Sequence, residues 1–138
     1  MHIVADAIAD PDTGTAVAAL QSRLRAQRAA PPSFLAVHGS AAHASEAVRQ
    51  GLSAVGAAAL HGGTSCLGVM AGGRMAIGAG AGLGVFAVWD PEGQYGTACA
   101  ASGDDPVAAG RAATLAALTA AGRPGEAPDL VWLTATPG

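Results

Sequence analysis

A short run of hydrogen-bonding and reactive residues marks the middle of the chain. It consists of His61, Gly62, Gly63, Thr64, Ser65 and Cys66. Two glycines make backbone N–H groups accessible, and the three residues after them supply two hydroxyls and a thiol. A turn of this composition suits a carboxylate, a phosphate or another small polar ligand. The same pattern is also typical of a Gly-Gly bend at a strand end, with hydroxyls bonding locally.

A second polar group follows an apolar run. His38 ends the strand predicted at 34–38, and Ser40 and His43 come just after it. The carboxyl ends of strands are where α/β sheets place their ligands. However, no acidic partner accompanies these residues, and a serine near a histidine in sequence is not a catalytic pair. The sequence favours structural roles for His43 and His61, each taken alone, and assigns no catalytic residue.

The glycine-rich run at 78–84 (GAGAGLG) superficially resembles a dinucleotide-binding loop. That fingerprint requires a helix after the glycines, so that the phosphate meets a helix N-terminus. A strand-forming run follows here instead. We therefore predict that these glycines allow close packing of a strand or loop against its neighbour.

The two cysteines, Cys66 and Cys99, form neither a disulfide framework nor a metal-binding spacing. They predict a reduced, cytoplasmic protein without a metal site. Cys99 alternates with Tyr95 and Thr97, so we expect it to be a small core residue.

Composition narrows the function classes. The 138 residues are 51% hydrophobic and only 12% charged, which predicts one well-packed domain over 1–138 and a surface covered by a partner. The net charge is −3 and the basic residues are scattered, which argues against nucleic-acid binding. The longest uncharged apolar run, 75–89, is too short to cross a bilayer, and the N-terminus lacks signal-peptide features.

Hydrophobic periodicity predicts a mixed α/β sheet with helices packed on it, forming part of a larger layered domain. The expected order is β-α-β-α-β-β-β-β-α-β. Strands are predicted at 1–8, 34–38, 58–70, 74–80, 83–89, 94–101 and 129–136, and helices at 13–28, 45–55 and 106–121. Asp12 or Thr13 is the expected cap of the first helix, Pro31 and Pro32 end it, and Gly72 and Gly73 are predicted to form a hairpin turn. Both alternating sets of 83–89 are apolar, so this strand should be covered on both faces.

The last predicted strand, 129–136, is read as a buried core strand that ends in Pro137 and Gly138. We expect it to be covered by a companion segment or chain, in a hetero- or homo-oligomer. Three hypotheses remain open: a ligand-binding half of a larger unit, the α-chain of a self-cleaved amide hydrolase, or a truncated piece. In the second, Gly138 is the candidate cleavage site, the nucleophile follows it, and 61–66 supplies oxyanion donors.

Several segments together resemble a known family. The strand FLAVHGS at 34–40, the segment HGGTSCLGVM at 61–70 and the run PDLVWLTATPG at 128–138 are similar to the N-terminal domain of FIST-domain proteins. These are bacterial signal-transduction sensory modules that carry a companion C-terminal domain. The resemblance covers essentially the whole chain, although the family's N-terminal domain continues with a further helix and strands.

The resemblance implies small-ligand sensing, with amino acids as a suggested ligand class and haem as a cofactor in some members. It implies that the segment 61–66 is the pocket turn. It does not indicate which of His38, His43 or His61 would bind a haem iron.

Overall fold

The computed structural model describes residues 1–65, 68–76 and 81–135. They divide into two compact units, the first from Met1 to Pro91 and the second beginning at Glu92. The predicted mixed α/β class is confirmed, with a four-stranded mixed sheet, a small two-stranded sheet and three helices in the described residues.

The first unit contains both sheets. Its elements in chain order are β1 His2–Ala9, α1 Thr13–Gln27, β2 Phe34–Ser40, α2 Ser45–Ser53, β3 Ala59–Ser65, β4 Val69–Ala71, β5 Arg74–Ala76 and β6 Gly82–Trp89. The large sheet has the order β1-β6-β2-β3. β6 is antiparallel to both of its neighbours, and β2 is parallel to β3. Strands β1, β2 and β3 therefore run in one direction, and their carboxyl ends meet at one end of the sheet.

Helix α1 begins at a side-chain cap. The Asp12 carboxylate accepts a hydrogen bond of 2.7 Å from the backbone N–H of Thr15, which also lowers the pKa of Asp12. Its buried residues recur at helical spacing: Ala16, Val17, Leu20 and Leu24. The helix ends at Gln27, shortly before the predicted stop at Pro31 and Pro32, which cannot continue a helix.

Helices α1 and α2 cover the same face of the sheet. A Cβ on Gly51 of α2 would overlap the side chain of Val17, and the side-chain amide of Gln21 donates to the Gly51 carbonyl at 2.6 Å. The absence of a side chain at Gly51 thus allows the helices to approach closely. The core below them is built from Leu35, Val37, Leu52, Leu83 and Val85.

The β4–β5 hairpin covers the other face of β6. Gly72 and Gly73 form its two-residue turn with φ of +57° and +73°, as the sequence predicts. A Cβ on Gly84 would approach the Val69 side chain to 3.1 Å, and one on Gly82 would overlap the Ala76 carbonyl. The predicted close packing is therefore confirmed at Gly82 and Gly84, and the predicted cover of β6 on both faces is confirmed as well. The rest of the glycine-rich run, at 78–80, lies outside the described residues.

The second unit is built around one helix, α3 Pro106–Ala120. The Asp105 carboxylate caps it by accepting from Ala108 N at 2.9 Å, and proline stands in its first turn. None of the helices in the described ranges has the length and apolar character needed to span a bilayer.

Two predicted strands of the second unit are wrong. Residues 94–101 and the described part of the last strand, 129–135, form no strand. Leu130 is 82% exposed and Trp132 is 44% exposed, so the described chain does not bury this segment, and its cover by a companion segment or chain stays a prediction. Apolar, β-prone residues form a strand only where a neighbouring strand completes the ladder.

Segment 94–101 is instead held against a helix. A Cβ on Gly96 would overlap the carbonyl oxygen of Ala117 and would approach Ala121 N to 2.6 Å, which places this backbone directly on the end of α3. Cys99 is consequently exposed rather than a core residue, and the prediction made for it is wrong.

Candidate functional site

The predicted ligand segment lies in an edge strand. His61, Gly62, Gly63, Thr64 and Ser65 belong to β3, which pairs only with β2 in the described part of the sheet. The expected Gly-Gly turn is therefore wrong, because parallel pairing with β2 keeps both glycines extended. Cys66 lies outside the described residues.

In β3, the backbone N–H and C=O groups of every second residue point away from β2, toward the open edge of the sheet. Ala59 N donates to Ser33 O at 3.2 Å, which places Ala59 among the residues bonded to the β2 side. Alternation along a parallel ladder then directs His61 and Gly63 to β2, and directs Leu60, Gly62 and Thr64 outward. Only one of the two glycine N–H groups is thus at the outer edge.

Side chains from β2 and β3 meet on the sheet face opposite α1 and α2. The register pairs Ala36 with His61, His38 with Gly63 and Ser40 with Ser65, and paired residues of parallel strands share a face. We call the set of His38, Ser40, His61, Gly63 and Ser65 the polar face. The fold thus joins two polar groups that are separate in the sequence, at the carboxyl ends of the parallel strands.

The two histidines of the polar face lie close together. The ring centroids of His38 and His61 are 6.2 Å apart, with 62° between the ring planes. Burial lowers the pKa of His61, and the neighbouring His38 lowers it further. At neutral pH the His61 ring is therefore uncharged and offers one N–H donor and one acceptor nitrogen.

This depressed pKa predicts an acid-dependent loss of stability. An unfolded His61 keeps its ordinary pKa of 6.5 and binds a proton more readily than the folded form does. Folding stability should therefore be fully present above pH 6.5 and should fall as the pH drops through the lower folded pKa. An NMR titration of the ring should give a midpoint below 6.5, and His61→Gln should flatten the pH dependence of urea unfolding. An unchanged pH dependence in that variant would contradict this assignment.

The two serine hydroxyls of the polar face differ in their bonding. Ser65 Oγ donates to the carbonyl oxygen of Gly68. Ser40 is only 4% exposed, and its Oγ has no hydrogen-bond partner among the described residues. A buried hydroxyl without a partner costs about 1–3 kcal/mol, so such a group calls for an explanation. A ligand polar atom bound at Ser40 would supply the missing bond.

His43 serves a structural purpose. It is 4% exposed, with Nδ1 3.1 Å from Thr13 Oγ1 and Nε2 3.1 Å from Ala81 O. Because a carbonyl oxygen only accepts, Nε2 carries the proton and Nδ1 accepts from the Thr13 hydroxyl. His43 thus ties the β2–α2 loop to the start of α1 and to the residue before β6, which confirms the structural interpretation.

A cavity of about 370 Å³ lies beside Trp89, at the end of the sheet opposite the polar face. No pattern in the sequence predicts it. Two of the polar side chains that line it are bonded to backbone carbonyls. Trp89 Nε1 donates to Ala30 O at 2.7 Å, and Ser33 Oγ donates to Asp90 O at 2.9 Å. This cavity lies far along the strands from the polar face. Within the described ranges, no three His, Cys, Asp or Glu side chains are grouped to hold a metal ion.

Comparison with known proteins adds no assignment: no family model, no curated protein and no solved structure matches the chain. The resemblance to the FIST-domain family stays a prediction. The candidate cleavage site, Gly138, lies outside the described residues, so the self-cleaving hydrolase also stays a prediction.

Proposed function

We propose that this chain is a small-ligand-binding sensory or scaffold domain, located in the cytoplasm, and that the polar face is its binding site. The observation that carries the proposal is the buried Ser40 hydroxyl, which has no partner in the described residues and lies two residues beyond His38 on the same sheet face. The FIST resemblance supports the same function, together with a companion polypeptide.

The chemistry of the polar face suits a small polar molecule. Its side chains are two imidazoles and two hydroxyls, with no carboxylate or guanidinium on the β2 and β3 positions of this face. The neutral His61 ring and the Ser40 hydroxyl each donate or accept. A carboxylate or amide group of an amino acid would find donors here without meeting an opposing negative charge.

The substitution Ser40→Ala separates a ligand role from a structural one. Because the hydroxyl bonds to nothing in the described structure, its removal should leave the stability of the ligand-free protein unchanged or raise it by about 1 kcal/mol. The affinity for the ligand should fall about tenfold, the effect of one lost hydrogen bond of roughly 1.4 kcal/mol. Calorimetry with the proteinogenic amino acids and urea unfolding measure the two effects.

The matched control is Ser65→Ala, which removes a hydroxyl that donates to Gly68 O. This variant should lose about 1 kcal/mol of stability. A panel of amino acids that gives no binding heat, together with no haem absorbance in the purified protein, would refute the ligand-binding proposal. Binding that survives Ser40→Ala undiminished would move the site away from the polar face.

A further inference from the structure

The outer edge of β1 is protected by polar side chains. Asp10 N donates to Ala81 O, so alternation turns the backbone groups of Ala7 outward. Ala7 N then donates to Asp6 Oδ1 at 2.8 Å, and Arg23 Nη1 lies 3.5 Å from Ala7 O and 3.1 Å from Asp6 Oδ1. A charged pair that occupies the edge groups of a strand blocks the addition of another strand.

The β3 edge, at the other side of the same sheet, has no such protection from the residues that the structure describes. Its outward residues are Leu60, Gly62 and Thr64, of which Gly62 and Thr64 are exposed. The strand from Ala59 to Ser65 contains no Asp, Glu, Lys or Arg and no proline, and its one histidine, His61, is uncharged at neutral pH. An uncharged edge with outward N–H and C=O groups is a template for pairing with one more strand.

We propose that β3 pairs antiparallel with β3 of a second copy of this chain, around a two-fold axis at Gly62. Antiparallel partners exchange both hydrogen bonds when their outward groups face each other. Placing Gly62 opposite Gly62 aligns Leu60 with Thr64, so each outward residue meets an outward residue. This register also pairs the strand over its full length, from Ala59 to Ser65.

A second copy fits this edge because the strand is compatible with itself. Two-fold pairing brings a strand against its own sequence, and a strand without charged residues sets no like charges opposite each other. Gly62 adds no side chain at the axis itself. The axis stands perpendicular to the sheet, so the helices of both copies stay on the same side, and the two four-stranded sheets join into one of eight strands.

The pairing would join the polar faces of the two copies. His61 stands opposite Gly63 of the second copy, which is itself the register partner of that copy's His38. Four histidines, two from each copy, then share one sheet face around the axis. The dimer follows from the edge geometry alone and does not depend on the proposed ligand.

The substitution Thr64→Pro tests the dimer. The Thr64 N–H points outward, so proline removes a donor needed between copies but none used within the sheet, as is usual for proline on edge strands. Sedimentation equilibrium over a range of concentrations should show a monomer–dimer equilibrium for the unaltered protein. Thr64→Pro should raise its dissociation constant at least tenfold. Ala5→Pro, at an outward position on the protected β1 edge, is the matched control and should leave the equilibrium unchanged.

Two further measurements test whether the dimer forms through β3. Thr64→Lys keeps the backbone intact and adds a charge to the edge, so it should weaken the dimer even if the proline variant fails to fold. Amide exchange at Gly62 and Thr64 should slow as the protein concentration rises, while exchange at Ala5 should not change. A protein that remains monomeric at every concentration, a dimer that persists in both Thr64 variants, or a β3 edge occupied by an extended segment of a different protein would overturn the proposal.

Discussion

Replacing Gly82 with alanine should unfold the first unit or destabilise it severely. The added Cβ would overlap the Ala76 carbonyl oxygen and would stand 3.0 Å from the Ala76 carbonyl carbon and 3.2 Å from Val69 N. All three are backbone atoms, so no side-chain rotation relieves the clash. The β4–β5 hairpin must move away from β6, and we expect a loss of more than about 3 kcal/mol. Urea unfolding followed by circular dichroism measures it.

Gly110→Ala provides the matched control for this change. Gly110 lies inside α3, and a Cβ there would meet nothing within 4 Å. The same methyl group should therefore stabilise the protein by about 0.5–1 kcal/mol, through the better helix propensity of alanine. A Gly82→Ala protein that unfolds at the wild-type urea concentration would show that the hairpin does not rest on β6.

The substitution His43→Ala should have the second largest effect. It removes two buried hydrogen bonds, to Thr13 Oγ1 and to Ala81 O, and leaves the carbonyl with only its bond from Asp10 N. Loss of both bonds and of the ring packing should lower the free energy of unfolding by about 2–4 kcal/mol. Urea unfolding at neutral pH is the measurement.

The control Thr13→Val removes one of the two bonds and should cost about 1 kcal/mol. Both variants leave the polar face intact, so ligand affinity should be unaffected in the folded protein. If His43→Ala is as stable as the unaltered chain, the histidine does not tie α1 to β6. If it instead abolishes binding without loss of stability, His43 belongs to the ligand site.

Elements with a strong local signal could be predicted from the sequence. Helix α1 begins beside the expected capping residue Asp12, and the hairpin turn falls on Gly72 and Gly73. Both alternating residue sets of strand β6 are apolar, which predicts that it is covered on both faces. In each case residues that are near in sequence determine the conformation. The helix depends on its capping side chain, the turn on glycines with positive φ, and the strand on the alternation of its side chains between two faces.

Elements that depend on distant partners were predicted less well. Residues 129–135 have the composition of a strand but form none in the described structure, because composition cannot reveal whether a ladder partner exists. The reverse error occurred at Gly62 and Gly63. Glycine pairs usually mark turns, yet pairing with Val37 and His38 holds these two extended.

The candidate site was predicted in part. The residue types from His61 to Ser65 predict a candidate site, and His38 and Ser40 form a separate polar group in the sequence. That they share one face depends on the parallel register of β2 and β3, which no local pattern encodes. The spare hydrogen-bonding capacity of Ser40, which distinguishes it from Ser65, is likewise visible only in the folded chain.

The position of β6 between β1 and β2 constrains how the first unit assembles. His2, near the start of β1, pairs with Trp89, at the end of β6. β1 therefore gains a hydrogen-bonded neighbour only when β6, the strand farthest from it in the sequence of this unit, has joined the sheet. Closing so long a loop between two strands slows folding. During synthesis, β2 and β3, joined by α2, are the pair of strands in this sheet that can form before β6 is made. β6 then inserts between β1 and β2 and completes the sheet.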